Sequence, residues 1–96
     1  MTSKQRSFLK GIAMSQTAIF QLGKGDIDDN FINQIDSALE ARELIKITTL
    51  PSHIEGAHAA AQTLAEACGA EIVQVIGSKI VLYRESRENK KIILPS

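Results

Sequence analysis

The sequence predicts an α/β two-layer sandwich in which three helices and four strands follow one another in the order α-β-α-β-α-β-β around a mixed sheet. Segments whose apolar residues have helical spacing alternate with short runs rich in β-branched residues, which favours parallel pairing of the strands. The last two runs are separated only by Gly77 and Ser78, which is typical of an antiparallel hairpin. A chain of 96 residues is long enough for one hydrophobic core and too short for two.

The first half of the chain is predicted to form two helices and two strands. They run from Ser3 to about Met14 (helix), Thr17 to Leu22 (strand), Asp28 or Asp29 to about Arg42 (helix) and Leu44 to Leu50 (strand). Thr2 and Gln5 form a capping box at the first helix. The apolar stripe of this helix is formed by Phe8, Leu9, Ile12 and Ala13. Arg6 and Lys10 are expected on a strip that faces solvent, and Pro51 stops the second strand.

The second half of the chain adds one helix and the hairpin. These elements are expected from about Glu55 to Cys68 (helix), Ile72 to Ile76 (strand) and Lys79 to Arg84 (strand). Gly69 is expected to end the helix, because glycine adopts the left-handed conformation without a steric cost. The tail from Glu85 to Lys91 is polar, and Ile92 to Leu94 give it one apolar anchor.

The composition is that of a globular protein of the cytoplasm. Apolar residues make up 44% of the chain and charged residues 23%, which argues against disorder and against a fibrous protein. No apolar run approaches the ~18 residues of a membrane span, and the basic first turn is not followed by the apolar segment of a signal peptide. Cys68 is the single cysteine, whereas a small secreted domain normally carries an even set.

The formal net charge of zero hides an uneven distribution along the chain. Residues 1–25 carry four cations and no acid, residues 26–75 carry nine acids against two cations, and residues 76–96 carry five cations against two acids, giving +4, −7 and +3. If the fold brings the two ends together, they form a basic face of the kind that binds a polyanion. The alternative is that solvated surface charges cluster in sequence without forming such a face.

Four stretches of the chain resemble the YhbY-like proteins, the stand-alone form of the CRM domain, which is named for chloroplast RNA splicing and ribosome maturation. They are Thr2–Gly11, Gln21–Gly25, Ala38–Lys46, and Val73–Gly77 followed by Ile80–Arg84. The resemblance implies a fold similar to the C-terminal domain of initiation factor three, and RNA binding without catalysis. It implies a single CRM domain over residues 1–96 with a charged tail at about 85–96. Stand-alone bacterial members associate with the precursor of the large (50S) ribosomal subunit, so a role in ribosome biogenesis is expected.

The same resemblance implies an RNA-contacting GxxG loop between the first strand and the second helix. The loop maps onto Gly23, Lys24, Gly25 and Asp26. Glycines let backbone N–H groups approach a phosphate closely, and the loop leads into the positive end of a helix dipole. Asp26 departs from the family, which usually has glycine there, and its carboxylate would repel a phosphate. Taken alone, GxxG spacing is more typical of an ordinary turn between a strand and a helix.

The predicted RNA contacts combine this loop with the cations of both chain ends. The residues are Lys4, Arg6, Lys10, Gly23, Lys24, Gly25, Lys79 and Arg84. Base stacking is expected to contribute little, because Phe8 and Phe31 lie on apolar helix stripes and only Tyr83 offers a polar tip. Recognition of RNA shape and backbone is therefore predicted, with ribosomal RNA of the 50S precursor as the partner.

Other functions are less well supported by the residues. His53, His58 and Cys68 lack zinc-ligand spacing, and the last two are ten residues apart on one predicted helix, or about 15 Å, too far for a nucleophile and its base. We therefore expect a monomer with no metal, cofactor, small-molecule substrate or membrane contact. The main alternative is a protein-interaction adaptor whose acidic middle segment docks a basic ribosomal protein. Its acidic residues would be Asp36, Glu40, Glu43 and Glu66.

Overall fold

The computed structural model describes residues 1–23, 27–50 and 56–95. The elements are α1 (Ser3–Met14), β1 (Phe20–Leu22), α2 (Asp29–Arg42), β2 (Leu44–Thr49), α3 (Gly56–Cys68), β3 (Glu71–Ile76) and β4 (Lys79–Tyr83). This order confirms the prediction. The first strand begins three residues later than expected, although the Ile19 N–H still donates to the Lys46 carbonyl at 3.0 Å.

The four strands form one mixed sheet, as predicted, and their spatial order is β1-β2-β4-β3. β1 runs parallel to β2, with α2 as the crossover, and β4 runs antiparallel to both of its neighbours. Gly77 has a φ of +55° in the tight turn between β3 and β4, where a side chain would be strained. β3 is an edge strand, and its register with β4 shifts between Ile72 and Gln74.

Helices cover both faces of the sheet, so that α1 forms a layer beyond the predicted two. α2 and α3 pack on one face, in a core that includes Leu39, Ile45, Leu64 and Leu82. α1 packs on the other face through the residues of a smaller core, Leu9, Ala13, Leu44, Val73, Val81 and Tyr83. The physical reason is that β2 and β4 carry apolar side chains on both faces, as strands buried from two sides do.

Local capping interactions set the helix ends. The predicted capping box of α1 is present, with Thr2 and Gln5 exchanging two hydrogen bonds of 3.1 Å. α2 is capped by Asp28, whose Oδ1 accepts from the Phe31 N–H at 2.8 Å. Gly69 follows α3 with a φ of +64°, as its predicted role requires. Glu43 ends α2 with a φ of +66°, the one non-glycine residue of the described chain in that region.

Some predicted core positions differ in the structure. Phe8 is 42% exposed, because the contact of α1 with the sheet is narrow and centred on Leu9 and Ala13. Tyr83 is buried instead of offering its tip to a ligand, and burial raises the pKa of its hydroxyl. The tail anchor is confirmed for Ile92 and Leu94, which pack on the smaller core, while the side chain between them points outward.

Candidate nucleic-acid interface

α1 covers only part of its face of the sheet, and the rest forms a surface that we call the open sheet end. It comprises Met14 at the end of α1 and the strand residues Lys46, Gln74, Ile76, Lys79 and Val81. The strand register places these residues on one face, because Lys46 and Gln74 both lie opposite Val81, and Ile76 lies opposite Lys79. Together with Ala13 they line a hollow of about 190 Å³.

The residue that opens the predicted loop lies at this same end of the sheet. Gly23 follows β1, and the preceding Leu22 carbonyl accepts from the Leu50 N–H at 2.8 Å. The neighbouring Thr49 N–H donates to the Ser78 carbonyl at 2.7 Å, which brings the β3–β4 turn beside the end of β2. Lys24, Gly25 and Asp26, and with them most of the predicted GxxG loop, lie outside the described residues.

Among the described residues, each of the two lysines of the open sheet end makes one hydrogen bond, which leaves part of its donor capacity unused. The Lys46 ammonium donates to the Gln16 carbonyl at 3.0 Å, and the Lys79 ammonium donates to Thr48 Oγ1 at 2.8 Å. Each ammonium has three N–H donors, so further donors remain for an anion. Sequence reasoning missed Lys46, which lies in the acidic segment. The signal that could have identified it is the alternation along the strand, which places Lys46 on the face opposite to its apolar neighbours Ile45 and Ile47.

The α1 cations differ in what they contact. Lys4 is exposed, and Lys10 is half-buried one turn beyond Arg6. The Arg6 guanidinium donates to the carbonyls of Ile72 and Val73, where the register of β3 shifts. Arg6 therefore binds the edge of the sheet, whereas the sequence predicted a strip facing solvent. Arg6, Lys10 and Met14 follow the helix at intervals of four residues, so their flank of α1 leads from this contact to the open sheet end.

Arg84 makes contacts within the protein. Its guanidinium forms ion pairs with Asp36 and Glu40 of α2, and donates to the Cys68 carbonyl at 3.0 Å and the Asp36 carbonyl at 3.2 Å. Its side chain is only 10% exposed. The geometry therefore gives Arg84 a structural role, joining β4 to α2 and α3, and favours leaving it out of an RNA surface.

Two carboxylates of α2 hold the C-terminal segment, in an arrangement that we call the tail clamp (Glu40, Glu43 and residues 86–92). Glu40 accepts from the Arg87 and Glu88 N–H groups at 3.1 Å and from the Ser86 hydroxyl at 2.8 Å. These donors, led by the Arg87 N–H, hold the pKa of Glu40 below its usual value.

Glu43 is the buried half of the tail clamp. Its side chain accepts from the N–H groups of Ser86, Lys91 and Ile92 at 2.6–2.7 Å. Burial raises the pKa of this carboxyl, but the three backbone donors outweigh burial, so the pKa lies below its usual value. Sequence reasoning placed Glu43 on an acidic surface and missed this role, because its partners lie 43 to 49 residues further along the chain.

The geometry weakens the case for an adaptor that docks through the acidic segment. Of the four acids proposed for that surface, Asp36 pairs with Arg84, and Glu40 and Glu43 hold the tail. Of these four acids, only Glu66, on α3, is exposed without such a contact to the described residues. The four carboxylates therefore do not form one accessible acidic patch.

The described residues contain no cluster of three or more histidine, cysteine or acidic residues that could hold a metal ion. His58 is exposed on α3, and His53 lies outside the described residues. Cys68 is buried with its thiol against the Ile32 carbonyl at 3.8 Å, and burial raises its thiol pKa, which makes it a poor nucleophile. Within the same ranges, no helix has the length and apolar character needed to cross a membrane.

Comparisons with protein families, known proteins and solved structures give matches that agree with one another. The family model described as the CRS1 / YhbY (CRM) domain matches residues 1–84. The chain is 50% identical over 95 residues to the "Probable RNA-binding protein YqeI" of Bacillus subtilis, and the match covers 99% of each protein. It is 34% identical over 90 residues to an "RNA-binding protein" of Haemophilus influenzae, and that match covers 94% of this chain and 91% of the relative. The solution structure of a hypothetical Staphylococcus aureus protein, whose suggested role is RNA binding, matches with a TM-score of 0.81 and 52% identity over 99% of each chain.

Proposed function

Because this chain belongs to the CRS1 / YhbY (CRM) domain family, we propose that it binds RNA through one basic side of the molecule. We call that side the basic flank, and it consists of Lys10 on α1 with Lys46 and Lys79 at the open sheet end. The names of the relatives and the matching fold support RNA as the partner. The family resemblance seen in the sequence is thereby confirmed.

One observation carries the choice of this side: among the described residues, two lysines and no acid line the open sheet end, whereas Arg87 shares its surface with Asp36, Glu40 and Glu88. In residues 1–23, 27–50 and 56–95, ion pairs form only between Arg84 and Asp36, Arg84 and Glu40, and Lys90 and Glu85. The three lysines of the basic flank form none there. Their charges are not neutralised by neighbouring carboxylates, so they are available to displace the counterions of a polyanion.

The GxxG loop is proposed as the second part of the contact. The glycines at 23 and 25 would let the backbone of this loop approach a phosphate closely, and Lys24 would add one ammonium. Asp28 competes at the same helix start, because its carboxylate already accepts the Phe31 N–H and adds negative charge there. The loop is therefore expected to use contacts at residues 23–25 more than the N-terminus of α2. Lys4 and Arg6 would contribute charge from α1.

The finer assignment follows from the resemblance. We propose that the RNA is ribosomal RNA of the 50S precursor, that the protein acts during ribosome assembly in the cytoplasm, and that it does so as one CRM domain without catalysis or a cofactor. The tail beyond residue 84, which the family model does not match, would serve as part of the fold through the tail clamp.

The proposal is tested by the salt dependence of RNA binding. Fluorescence anisotropy with a fragment of large-subunit ribosomal RNA should give a log–log slope of about −0.7 to −0.9 per phosphate contact. Lys10→Glu combined with Lys79→Glu should weaken binding by at least about tenfold and make the slope shallower. Arg87→Glu combined with Lys91→Glu is the matched control, because it changes the net charge by the same amount at two exposed residues of the tail clamp; it should leave affinity nearly unchanged. An affinity independent of salt, or equal losses in both variants, would contradict the basic flank.

The same double variant distinguishes RNA binding from the adaptor alternative. If the protein docks on the 50S precursor through ribosomal proteins, Lys10→Glu with Lys79→Glu should leave its co-sedimentation with the precursor intact. If it docks through RNA, the variant should remain at the top of the gradient while the control, Arg87→Glu with Lys91→Glu, still co-sediments.

A further inference from the structure

We propose that the hollow at the open sheet end is a binding site for one unpaired nucleobase of the RNA, an inference that rests on the proposed function. The hollow lies between the end of α1 and the edge of the sheet, where β3 and β4 meet. At about 190 Å³ it is smaller than the roughly 300–1,000 Å³ of typical small-molecule sites, so it suits a single ring system better than a cofactor.

Two exposed apolar side chains give the hollow its hydrophobic surface. Met14 is 85% exposed and Ile76 is 60% exposed, and both line the same hollow. Neighbouring apolar side chains left in water on a small protein indicate a contact site. A methionine thioether is flexible and polarisable and packs well against aromatic rings, so it can contact the face of a base without an aromatic residue.

The polar groups around the hollow match a nucleotide. Lys46 and Lys79 line it with two ammonium-bearing side chains, and none of the described residues that line it carries a carboxylate. The Gln74 side chain also lines it, and within the described residues its amide makes no hydrogen bond. An amide both donates and accepts, so Gln74 can pair with the edge of a base while the lysines hold the phosphates on either side.

This arrangement predicts which RNA the protein prefers. The bases of a duplex are stacked and their edges paired, so only a bulged, looped or single-stranded base can enter a hollow on a protein surface. The hollow therefore adds recognition of an unpaired base to the recognition of shape and backbone that the sequence predicted. The lysines attract any RNA, and the apolar walls with Gln74 select RNA that has a base to insert.

The test compares three RNA probes on the same protein. They are a fully paired duplex, the same duplex with one bulged nucleotide, and that bulge made abasic. The intact protein should bind the bulged duplex about tenfold more tightly than the other two, which is the scale of one stacked base. Met14→Ser with Ile76→Ser should remove this preference while leaving duplex affinity and the salt slope unchanged. Ile93→Ser is the matched control, because Ile93 is 89% exposed elsewhere and its change should have no effect.

Every other result contradicts the base site, and the results differ in what they imply for the proposed function. Equal binding of all three probes with a normal salt slope overturns the base site and leaves the proposed function standing. Absence of RNA binding overturns both. A uniform loss of affinity for every probe in the serine variant, with an unchanged melting temperature, would make the hollow part of the backbone contact. If the serine variant keeps all RNA affinities and the bulge preference but loses 50S-precursor association, the occupant is a protein side chain.

Discussion

The tail clamp and the basic flank are two charged regions of this protein, and they differ in whether their charged groups find partners within the protein. Glu40 and Glu43 receive hydrogen bonds from the protein's own C-terminal segment, whereas Lys10, Lys46 and Lys79 have no carboxylate partner in the described residues. A net charge of zero therefore does not describe the surface. Much of the negative charge serves the fold, and the positive charge of the flank stays available for a ligand.

The reason for this difference lies in the burial of the two regions. A carboxylate buried as completely as Glu43 must receive hydrogen bonds, because its desolvation is otherwise too costly. The segment at 86–92 lies outside helices and strands, so its N–H groups lack sheet or helix partners and supply those bonds. Lysine side chains at a surface keep their ammonium groups hydrated and need no such partner.

The largest effect is expected from removing the buried acid of the tail clamp. Glu43→Ala would leave three backbone N–H groups without their acceptor and should destabilise the protein by about 3 kcal/mol. Urea unfolding monitored by circular dichroism measures this loss. Glu43→Gln keeps the shape and one acceptor oxygen, and should cost less than half as much. A cost below about 0.5 kcal/mol for Glu43→Ala would mean that the clamp does not contribute to the fold.

Acid should weaken the tail clamp while leaving lysine charges unchanged. Glu40 and Glu43 have pKa values below the ordinary 4.5 in the folded protein. Their contribution to stability is therefore fully present above pH 4.5 and is lost as the pH falls through the lower folded-state values. Urea midpoints measured between pH 7 and pH 3 should decline mainly below about pH 4.5. The decline should be smaller in Glu43→Gln, and an identical decline in that variant would contradict the assignment.

A single lysine of the basic flank should affect binding and leave stability nearly unchanged. Lys46→Gln should weaken RNA binding severalfold and reduce the salt slope by about one phosphate contact. The melting temperature should fall by a few degrees at most, because the fold loses only the hydrogen bond from the ammonium to the Gln16 carbonyl. Arg87→Gln is the control of equal charge change, and a matching loss there would mean that affinity follows total charge instead of the flank.

The smallest effect is expected from an acid at the helix start that follows the predicted loop. Asp28→Asn keeps the cap of α2, because asparagine is an equally good N-cap residue, and removes one negative charge from this helix start. RNA affinity should rise about twofold with no loss of stability. Asp26→Gly, which restores the family glycine, should also tighten binding, and weaker binding in both variants would contradict a phosphate contact at this loop.

Sequence reasoning succeeded where the determining interactions are local. The capping box of α1 and the Gly77 turn involve neighbours within three residues, so the bounds of α1 and the hairpin were predicted closely. The roles of Arg84 and Glu43 depend on residues more than 40 positions away, and charge alone assigned both to a surface. Lys46 was missed because the length and direction of α1 determine that this face of β2 stays uncovered.

The contact between Arg6 and β3 has a consequence for self-association. β3 is the edge of the sheet, and an edge strand offers unpaired carbonyls to a strand of another molecule. Arg6 occupies two of these carbonyls at the register shift, where the irregular strand is already a poor template for pairing. The guanidinium is therefore expected to disfavour pairing between copies of this chain at this edge. An Arg6 variant that binds RNA poorly should first be examined for aggregation, since an exposed edge would remove active protein before any phosphate contact is lost.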